Sequence, residues 1–340
     1  MKPSSPFIIP VFIAHLGCPH RCVFCNQHSI TGKGEVSGPE MVTGIIDAWL
    51  ARKPLDDRRL TQVAFYGGSF TALPAARQAS LLAAVEPYLE RGLVQEIRLS
   101  TRPDAIDQPR IDFLKQYGVR VVELGAQSMD DHVLALSGRG HSFRDTEEAS
   151  VLLKQNGLTL GIQLMLGLPG ESPGKLLAGA RRVCRLRPDF VRLYPTLVIR
   201  GTKLAGMYEA GLYRPLSLGR AVLFAGRMKE IFAGQGIPVV RIGLQHEEAL
   251  VDGLIAGPYH PAFGELVLSR IFYRKVRSCL AQMQGDGKKV LSVSSRDQSI
   301  FRGPGNCNLK RLEGRGLLQN VALRFDPGLS RDSVIITSII

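Results

Sequence analysis

The stretch Gly17-Cys18-Pro19-His20-Arg21-Cys22-Val23-Phe24-Cys25-Asn26 sets three cysteines at C-x3-C-x2-C spacing, close behind the apolar run Phe7–Ala14. Three thiolates this close together can hold three corners of a [4Fe–4S] cluster, which ordinarily takes four cysteine ligands. A fourth iron without a protein ligand is open to bind something else, which turns an electron carrier into a catalyst. The same cysteines can also hold a structural zinc, with His15, His20 or His28 as the fourth ligand.

Composition narrows the class. The chain has 340 residues, 45% of them hydrophobic, enough for one large domain or one and a half. Six cysteines in 340 residues do not make a disulfide framework. Their usage fits a reducing compartment and a cytoplasmic protein. Cys184, Cys279 and Cys307 read as buried small hydrophobes, and Cys307, in the loop Gly303-Pro304-Gly305-Asn306-Cys307-Asn308, is also a candidate exposed thiol. No apolar stretch of about eighteen residues is present, so no membrane span is expected. Phe7 to Gly17 behind Lys2 has the outline of a short signal core, and Leu16-Gly17-Cys18 that of a lipoprotein cleavage site. His15, where such a site needs a bulky apolar residue, and Pro10 inside the run favour a strand entering a loop.

The net charge is +13, and after residue 250 thirteen Lys and Arg stand against seven Asp and Glu. Arg270, Arg274, Lys275, Arg277, Lys310 and Arg311 belong to that basic tail. Such a balance points to a polyanion or an anionic substrate, or else to a merely solvated basic surface.

Strand-like runs at Phe7–Ala14, Gln62–Tyr66, Glu96–Ser100, Arg120–Leu124, Leu158–Leu166 and Asp189–Tyr194 alternate with helical stretches. These are Pro39–Ala51, Ala75–Leu89, Ile111–Tyr117, Thr146–Gln155 (with Thr146 as N-cap) and Pro173–Leu186. Alternation of this kind means βα units and a parallel sheet. Six units are too few to close an eight-stranded barrel, so the pattern predicts an open one. A helix at Leu218–Gln235 and a strand near Val239–Ile242 follow. The rhythm then changes to a loop at Gly257-Pro258-Tyr259-His260-Pro261, a helix at Phe263–Gln284 and strands at Lys289–Val293, Val321–Arg324 and Asp332–Ile339. The fold class is therefore α/β, a partial (β/α)6 TIM-like barrel over residues 1–245 with a small C-terminal α+β appendage over 246–340.

Active sites of such barrels form at the carboxyl ends of the strands. There the sequence places the cysteines, Tyr66-Gly67-Gly68-Ser69-Phe70-Thr71, Ser100-Thr101-Arg102-Pro103-Asp104, Leu124-Gly125-Ala126-Gln127-Ser128, Gly167-Leu168-Pro169-Gly170 and Tyr194-Pro195-Thr196. This constellation resembles the radical S-adenosylmethionine superfamily over roughly residues 5–245. Within it, the chain is similar to the radical domain of the Elongator catalytic subunit and its bacterial relatives. The likeness rests on the segment from Phe65 to Thr71, Thr101-Arg102-Pro103-Asp104, the segment from Val122 to Ser128, Arg139-Gly140-His141 and the segment from Leu193 to Thr202. Oxygen-independent coproporphyrinogen oxidases share the layout with a weaker match.

The resemblance implies roles. Cys18, Cys22 and Cys25 would bind three irons, and the amine and carboxylate of S-adenosylmethionine the fourth. Reductive cleavage would then give a 5′-deoxyadenosyl radical. Gly67 and Gly68, with Ser69 beside them, fall at the methionine amino group, and Arg139 at the methionine carboxylate. Gln127 and Gln163 match positions that hydrogen-bond the ribose or methionine part. Phe24 matches the aromatic near the adenine, with Ile162 and Leu168 lining its pocket. Ser100 departs from the pattern, since relatives often carry a glutamate there to hold the methionine amine. That implies weaker cofactor binding or compensation from another acid. The Elongator subunit also carries an acetyltransferase domain. Roughly 85–95 residues follow residue 250 and no glycine-rich acetyl-coenzyme A loop is seen, so carboxymethylation is not implied.

Charge and resemblance together make tRNA or another RNA the expected substrate, with flavodoxin or ferredoxin as electron donor and no membrane partner. Small-molecule or porphyrin-like chemistry is the alternative. A non-catalytic, zinc-stabilised RNA-binding module is a third reading. Without the rim constellation, each residue also has a structural role open to it: a strand-ending turn for the glycines, loop hydrogen bonds for Ser100, Gln127 and Gln163, core for Phe24, surface charge for Arg139.

Overall fold

The computed structural model describes residues 5–13, 18, 20–25, 38–54, 56–245, 248–282 and 287–338. Its framework is one sheet of seven parallel strands in the order β1 (Phe7–Ile13), β2 (Thr61–Gly67), β3 (Glu96–Thr101), β4 (Val119–Gln127), β5 (Thr159–Leu166), β6 (Phe190–Pro195) and β8 (Val239–Ile242). The sheet curls into a half-barrel and stays open between β1 and β8. Six strands are those the alternation predicts, and β8 joins beside β6 as a seventh, pairing Val191 with Val239.

Successive side chains of a strand point to opposite faces. In β5, Leu160, Ile162, Leu164 and Leu166 face the helices and enter the main core. Gly161, Gln163 and Met165 face the lumen. The helix-facing set is completed by Ile9, Val11, Val63, Phe65, Ile97, Leu99, Val122, Leu124, Val191 and Leu193. Those two rows per strand explain why the strands read as nearly continuous apolar runs.

Between the strands lie α1 (Pro39–Leu50), α2 (Ala75–Ala83), α3 (Glu86–Glu90), α4 (Gln108–Gln116), α5 (Asp131–Leu136), α6 (Phe143–Gln155) and α7 (Pro173–Leu186). The single helix expected over Ala75–Leu89 is two, because Pro87 has no N–H to give the Ala83 carbonyl. Nor does Thr146 cap α6. The helix begins a turn earlier, where the Ser142 side chain accepts from the Asp145 amide while Asp145 accepts from the Ser142 amide at 2.6 Å, a reciprocal capping box.

After β6 come β7 (Val198–Ile199), α8 (Lys203–Glu209), α9 (Leu218–Ala233), α10 (Glu248–Asp252) and β9 (Leu254–Ala256), which pairs antiparallel with β7. The Tyr259-His260 loop beyond it is a turn: His260 Nδ1 accepts from the Ala262 amide at 3.0 Å, and Tyr259 packs against Leu197, Ile199 and Leu250. The long helix α11 (Phe263–Gln282) then serves two cores. Phe263 and Val267 belong to the barrel core. Phe272, Tyr273, Val276 and Leu280 belong to a second core with Leu291, Val293, Phe301 and Leu312. That second core lies under β10 (Lys289–Ser294), α12 (Gln298–Arg302), α13 (Cys307–Glu313), β11 (Val321–Asp326) and β12 (Val334–Ser338), with strand order β11-β10-β12. No helix among the described residues is long and apolar enough to cross a membrane.

A Ser142→Ala variant is expected to lose about 1 kcal/mol of stability in denaturant unfolding, the usual contribution of such a cap. A loss seen instead in Thr146→Ala alone would put the helix start back where the sequence suggested it.

Candidate functional site

The cysteine segment is pinned at the open rim by backbone contacts on both sides. The Val23 amide donates to Ser137 O at 3.0 Å, closing it onto the end of α5, and the Leu204 amide donates to Val23 O at 2.8 Å from the start of α8. Val23 packs with Val198, Leu204, Ala205 and Tyr213, and half-buried Phe24 lies against that cluster. Cys22 is buried, while Cys18 and Cys25 are half-buried. Among the described residues, no three His, Cys, Asp or Glu side chains converge tightly enough to form a ready metal site. His20, weighed as a zinc ligand, lies with its ring against the space that a Cβ on Gly140 would fill. His15, His28 and the Leu16-Gly17 cleavage reading lie outside the described residues.

Arg139 ties this segment to the sheet. It is only 7% exposed, and its Nη1 donates to Cys22 Sγ at 3.1 Å while Nη2 donates to Gly125 O at 2.6 Å. Its Nε is buried without a partner. Arg102, paired to Asp104 by two bonds of 2.9 Å, donates a further bond to Arg139 O. His141, next along, is held down at about 4 by burial and then by the Arg139 and Arg102 charges, so it is neutral at pH 7.

The other rim residues take distinct places. Gly67 ends β2 at φ +102, and a Cβ there would stand 3.0 Å from Ile13 O, so the close approach of β1 and β2 at the rim needs glycine. Gly68 and Ser69 are buried behind it, and Ser69 starts a 3₁₀ turn over Phe70–Ala72. Gln127 ends β4 with φ 64, a left-handed conformation uncommon for glutamine and found at functional sites. Its Nε2 lies 3.0 Å from where Gly125 would carry a Cβ. Leu168 is buried in the loop after β5. Ile162 is not at the rim. It is fully buried on the helix face of β5, opposite to Gln163, because neighbours in a strand point apart. The three scattered cysteines are half-buried, and Cys184 packs against the main core.

Sequence reasoning quoted Glu123 only as part of a motif. The structure makes it the centre of the lumen. Glu123 is 0% exposed. Its carboxylate accepts from Arg98 at 3.2 Å, Arg192 at 3.0 Å, Tyr66 at 3.2 Å and Gln163 at 3.0 Å. Ser100 pairs with Glu123 in register across β3 and β4, and Gln163 Nε2 also donates to Ser100 Oγ at 3.1 Å. The acid that could offset Ser100 is thus one strand away. Burial raises the Tyr66 hydroxyl to about 12, with Glu123 adding to it. Burial works against the Arg192 charge, but Glu123 and the Tyr194 and Tyr66 rings' hydroxyls outweigh it and hold its pKa above the ordinary value. The signal was available: in Val-Val-Glu-Leu, Ile-Arg-Leu and Val-Arg-Leu, a lone charge sits at the lumen-facing step of an apolar strand.

Against this geometry, comparison with known proteins is direct. The Radical SAM superfamily model matches residues 13–181, and the Radical_SAM C-terminal domain model matches 188–272. A tRNA uridine(34) acetyltransferase of Dehalococcoides mccartyi is 28% identical over 293 residues, covering 72% of this chain and 62% of that protein. An uncharacterised protein of Methanocaldococcus jannaschii is 32% identical over 232 residues, covering 62% of this chain and 67% of that one. The solved archaeal Elp3 of Methanocaldococcus infernus aligns with a TM-score of 0.62 at 24% identity, over 82% of this chain and 64% of that one. The chain thus spans less than two thirds of the acetyltransferase and of the archaeal Elp3. It belongs to the radical SAM superfamily, with Elp3-like relatives, and is an enzyme of that class. The family's cofactors, a [4Fe–4S] cluster and S-adenosylmethionine, come with that membership.

Glu171 closes the loop after β5, its carboxylate accepting from the Gly167 amide at 2.5 Å. Burial of its carboxyl end raises it to about 8, against the pull of the Gly167 and Leu168 amides. The unfolded carboxyl ionises near 4.5, so between 4.5 and 8 the folded chain keeps a proton that the unfolded chain releases. Stability then falls as pH rises through that interval, by at most about 1.4 kcal/mol per pH unit. Relative to Glu171→Gln, the wild type is expected to lose melting temperature between about pH 5 and pH 8. Parallel melting curves would sink this assignment.

Proposed function

We propose that the chain binds the cluster through Cys18, Cys22 and Cys25 and cleaves S-adenosylmethionine to act on RNA, with tRNA as the leading substrate. Bound together, cluster and S-adenosylmethionine supply one-electron cleavage of the sulfonium to a 5′-deoxyadenosyl radical that abstracts hydrogen. The observation that carries the reading is Arg139, a buried cation donating to Cys22 Sγ and to the β4 carbonyl at once. Hydrogen bonds to ligand sulfurs tune a cluster's potential. Three thiols of the right type on one pinned segment fit the cluster by donor chemistry.

The remaining roles follow position. Gly67, Gly68 and Ser69 offer backbone and hydroxyl to the methionine amine. Gln127 and Gln163 hydrogen-bond the polar part of the cofactor, and Arg139 Nε is free for its carboxylate. Phe24 and Leu168 enclose the adenine and exclude water. Ser100 gives a hydroxyl where a carboxylate would bind the amine more strongly. RNA is supported by the +13 charge and by a relative named for tRNA uridine(34). We place the domain division at residues 245 and 246, with α11 shared. The reaction needs an external electron donor of the flavodoxin or ferredoxin kind and suits the reducing cytoplasm.

Two outcomes test this. Reconstituted anaerobically with iron and sulfide, then given dithionite and S-adenosylmethionine, the protein forms 5′-deoxyadenosine measured by chromatography, and Cys22→Ala forms none. A protein that takes up zinc and no iron would refute the assignment. Separately, Ser100→Glu should bind S-adenosylmethionine more tightly in calorimetry, since Arg98 and Arg192 leave the lumen one positive charge over Glu123. Unchanged affinity would mean that Ser100 is not beside the amine.

A further inference from the structure

On the outer wall, the barrel and the appendage meet at a group of arginines from three helices. Arg227 comes from α9, Arg270 and Arg274 from α11, and Arg311 from α13. One carboxylate lies among them. Arg274 donates to both oxygens of Glu230, at 2.9 and 2.7 Å, and Arg227 stands 3.9 Å from the same group. Arg270 and Arg311 have no carboxylate partner among the ion pairs of the described residues.

Their approach is built in. Asn308 Nδ2 donates to Ser269 Oγ at 2.9 Å and to Ser269 O at 3.2 Å, locking α13 onto α11. Arg270 follows Ser269, and Arg311 lies three residues after Asn308 on the same helix face. The clamp therefore brings Arg311 near enough for its charge to act on Arg270. Arg270 Nε is buried without a hydrogen-bond partner. Burial, then Arg311, Arg274 and Arg227, lower the pKa of Arg270, which is the mark of mutual repulsion. A guanidinium does not shed its proton at working pH, so an anion that enters the group relieves the repulsion.

We propose that Arg227, Arg270 and Arg311 form a phosphate-binding patch that holds the sugar–phosphate backbone of the RNA whose reacting nucleotide enters the rim. This rests on the RNA reading above. Phosphate is the matching anion: the planar fork of arginine takes phosphate oxygens in pairs, and a patch fed by three helices can track consecutive phosphates. Its position suits a long ligand. Phe263, at the start of α11, stands 3.1 Å from where Gly243 would carry a Cβ, just past the rim end of β8. Arg270 is seven residues on, about 10 Å down the helix at 1.5 Å per residue. A bound strand leaves the rim and runs over the wall between barrel and appendage.

The test is fluorescence anisotropy of bulk tRNA with the reconstituted full chain, titrated between about 50 and 200 mM salt. The double variant Arg270→Gln, Arg311→Gln is compared with a charge-matched control, Arg52→Gln, Arg91→Gln, on the β1 side of the sheet. Each lost phosphate contact flattens the slope of log affinity against log salt by about 0.7 to 0.9. The patch variant should therefore lose roughly 1.4 to 1.8 of slope and bind several-fold more weakly, with the control unchanged. Its melting temperature should hold or rise, since like charges are removed, and 5′-deoxyadenosine formation without RNA should be unaltered. Equal affinity and slope in wild type and patch variant would overturn the patch and leave the RNA reading standing. A control that weakens as much as the patch variant would also overturn it, because net charge alone would then explain binding. Wild-type protein that forms 5′-deoxyadenosine but ignores tRNA at low salt would remove the RNA reading, and the patch with it.

Discussion

The half-barrel depends on one buried carboxylate. Glu123 sits in the lumen with no exposed surface and receives hydrogen bonds from side chains on β2, β3, β5 and β6. An unpaired charge there would be intolerable, and losing one partner of such a group typically costs about 3–5 kcal/mol. Five strands, β2 to β6, are therefore held in register by a shared ion as well as by their backbone ladders. The same network fixes the rotamer of Gln163 and, through it, the hydroxyl of Ser100 at the rim. Interior charge and rim chemistry are parts of one structure.

Much of this was legible. Apolar runs of four to nine residues, most of them ending in polar or glycine-rich rim elements, gave every strand of the half-barrel, and Pro173–Leu186 and Val239–Ile242 agree with the structure at both ends. The cysteine spacing and its companions gave the family. Other parts lay beyond local pattern. The family resemblance puts Ile162 in the adenine pocket, yet strand alternation sends it to the helix layer. Thr146 was a plausible cap, but Ser142 and Asp145 satisfy each other a turn earlier. Arg139 was expected at the methionine carboxylate. Its contact with Cys22 Sγ links residues 117 positions apart, which no periodicity records.

The appendage was recognised as a change of rhythm, and its three strands were found. Its short helices α12 and α13 were not, because five to seven residues with Gly303 and Gly305 at their junction carry too little periodicity to stand out. The basic count after residue 250 was visible as composition. Only the packing of α13 on α11, through Asn308 and Ser269, turns that count into adjacent charges.

Helix α11 has the character of a lever. Its first turns are embedded in the barrel core beside the end of β8, and its last turns carry the appendage core. A close-packed helix transmits displacement rather than absorbing it. A tilt of the appendage is therefore coupled to the edge strand that borders the open side of the lumen. Whatever leans on the far end of this chain is felt at the width of its doorway.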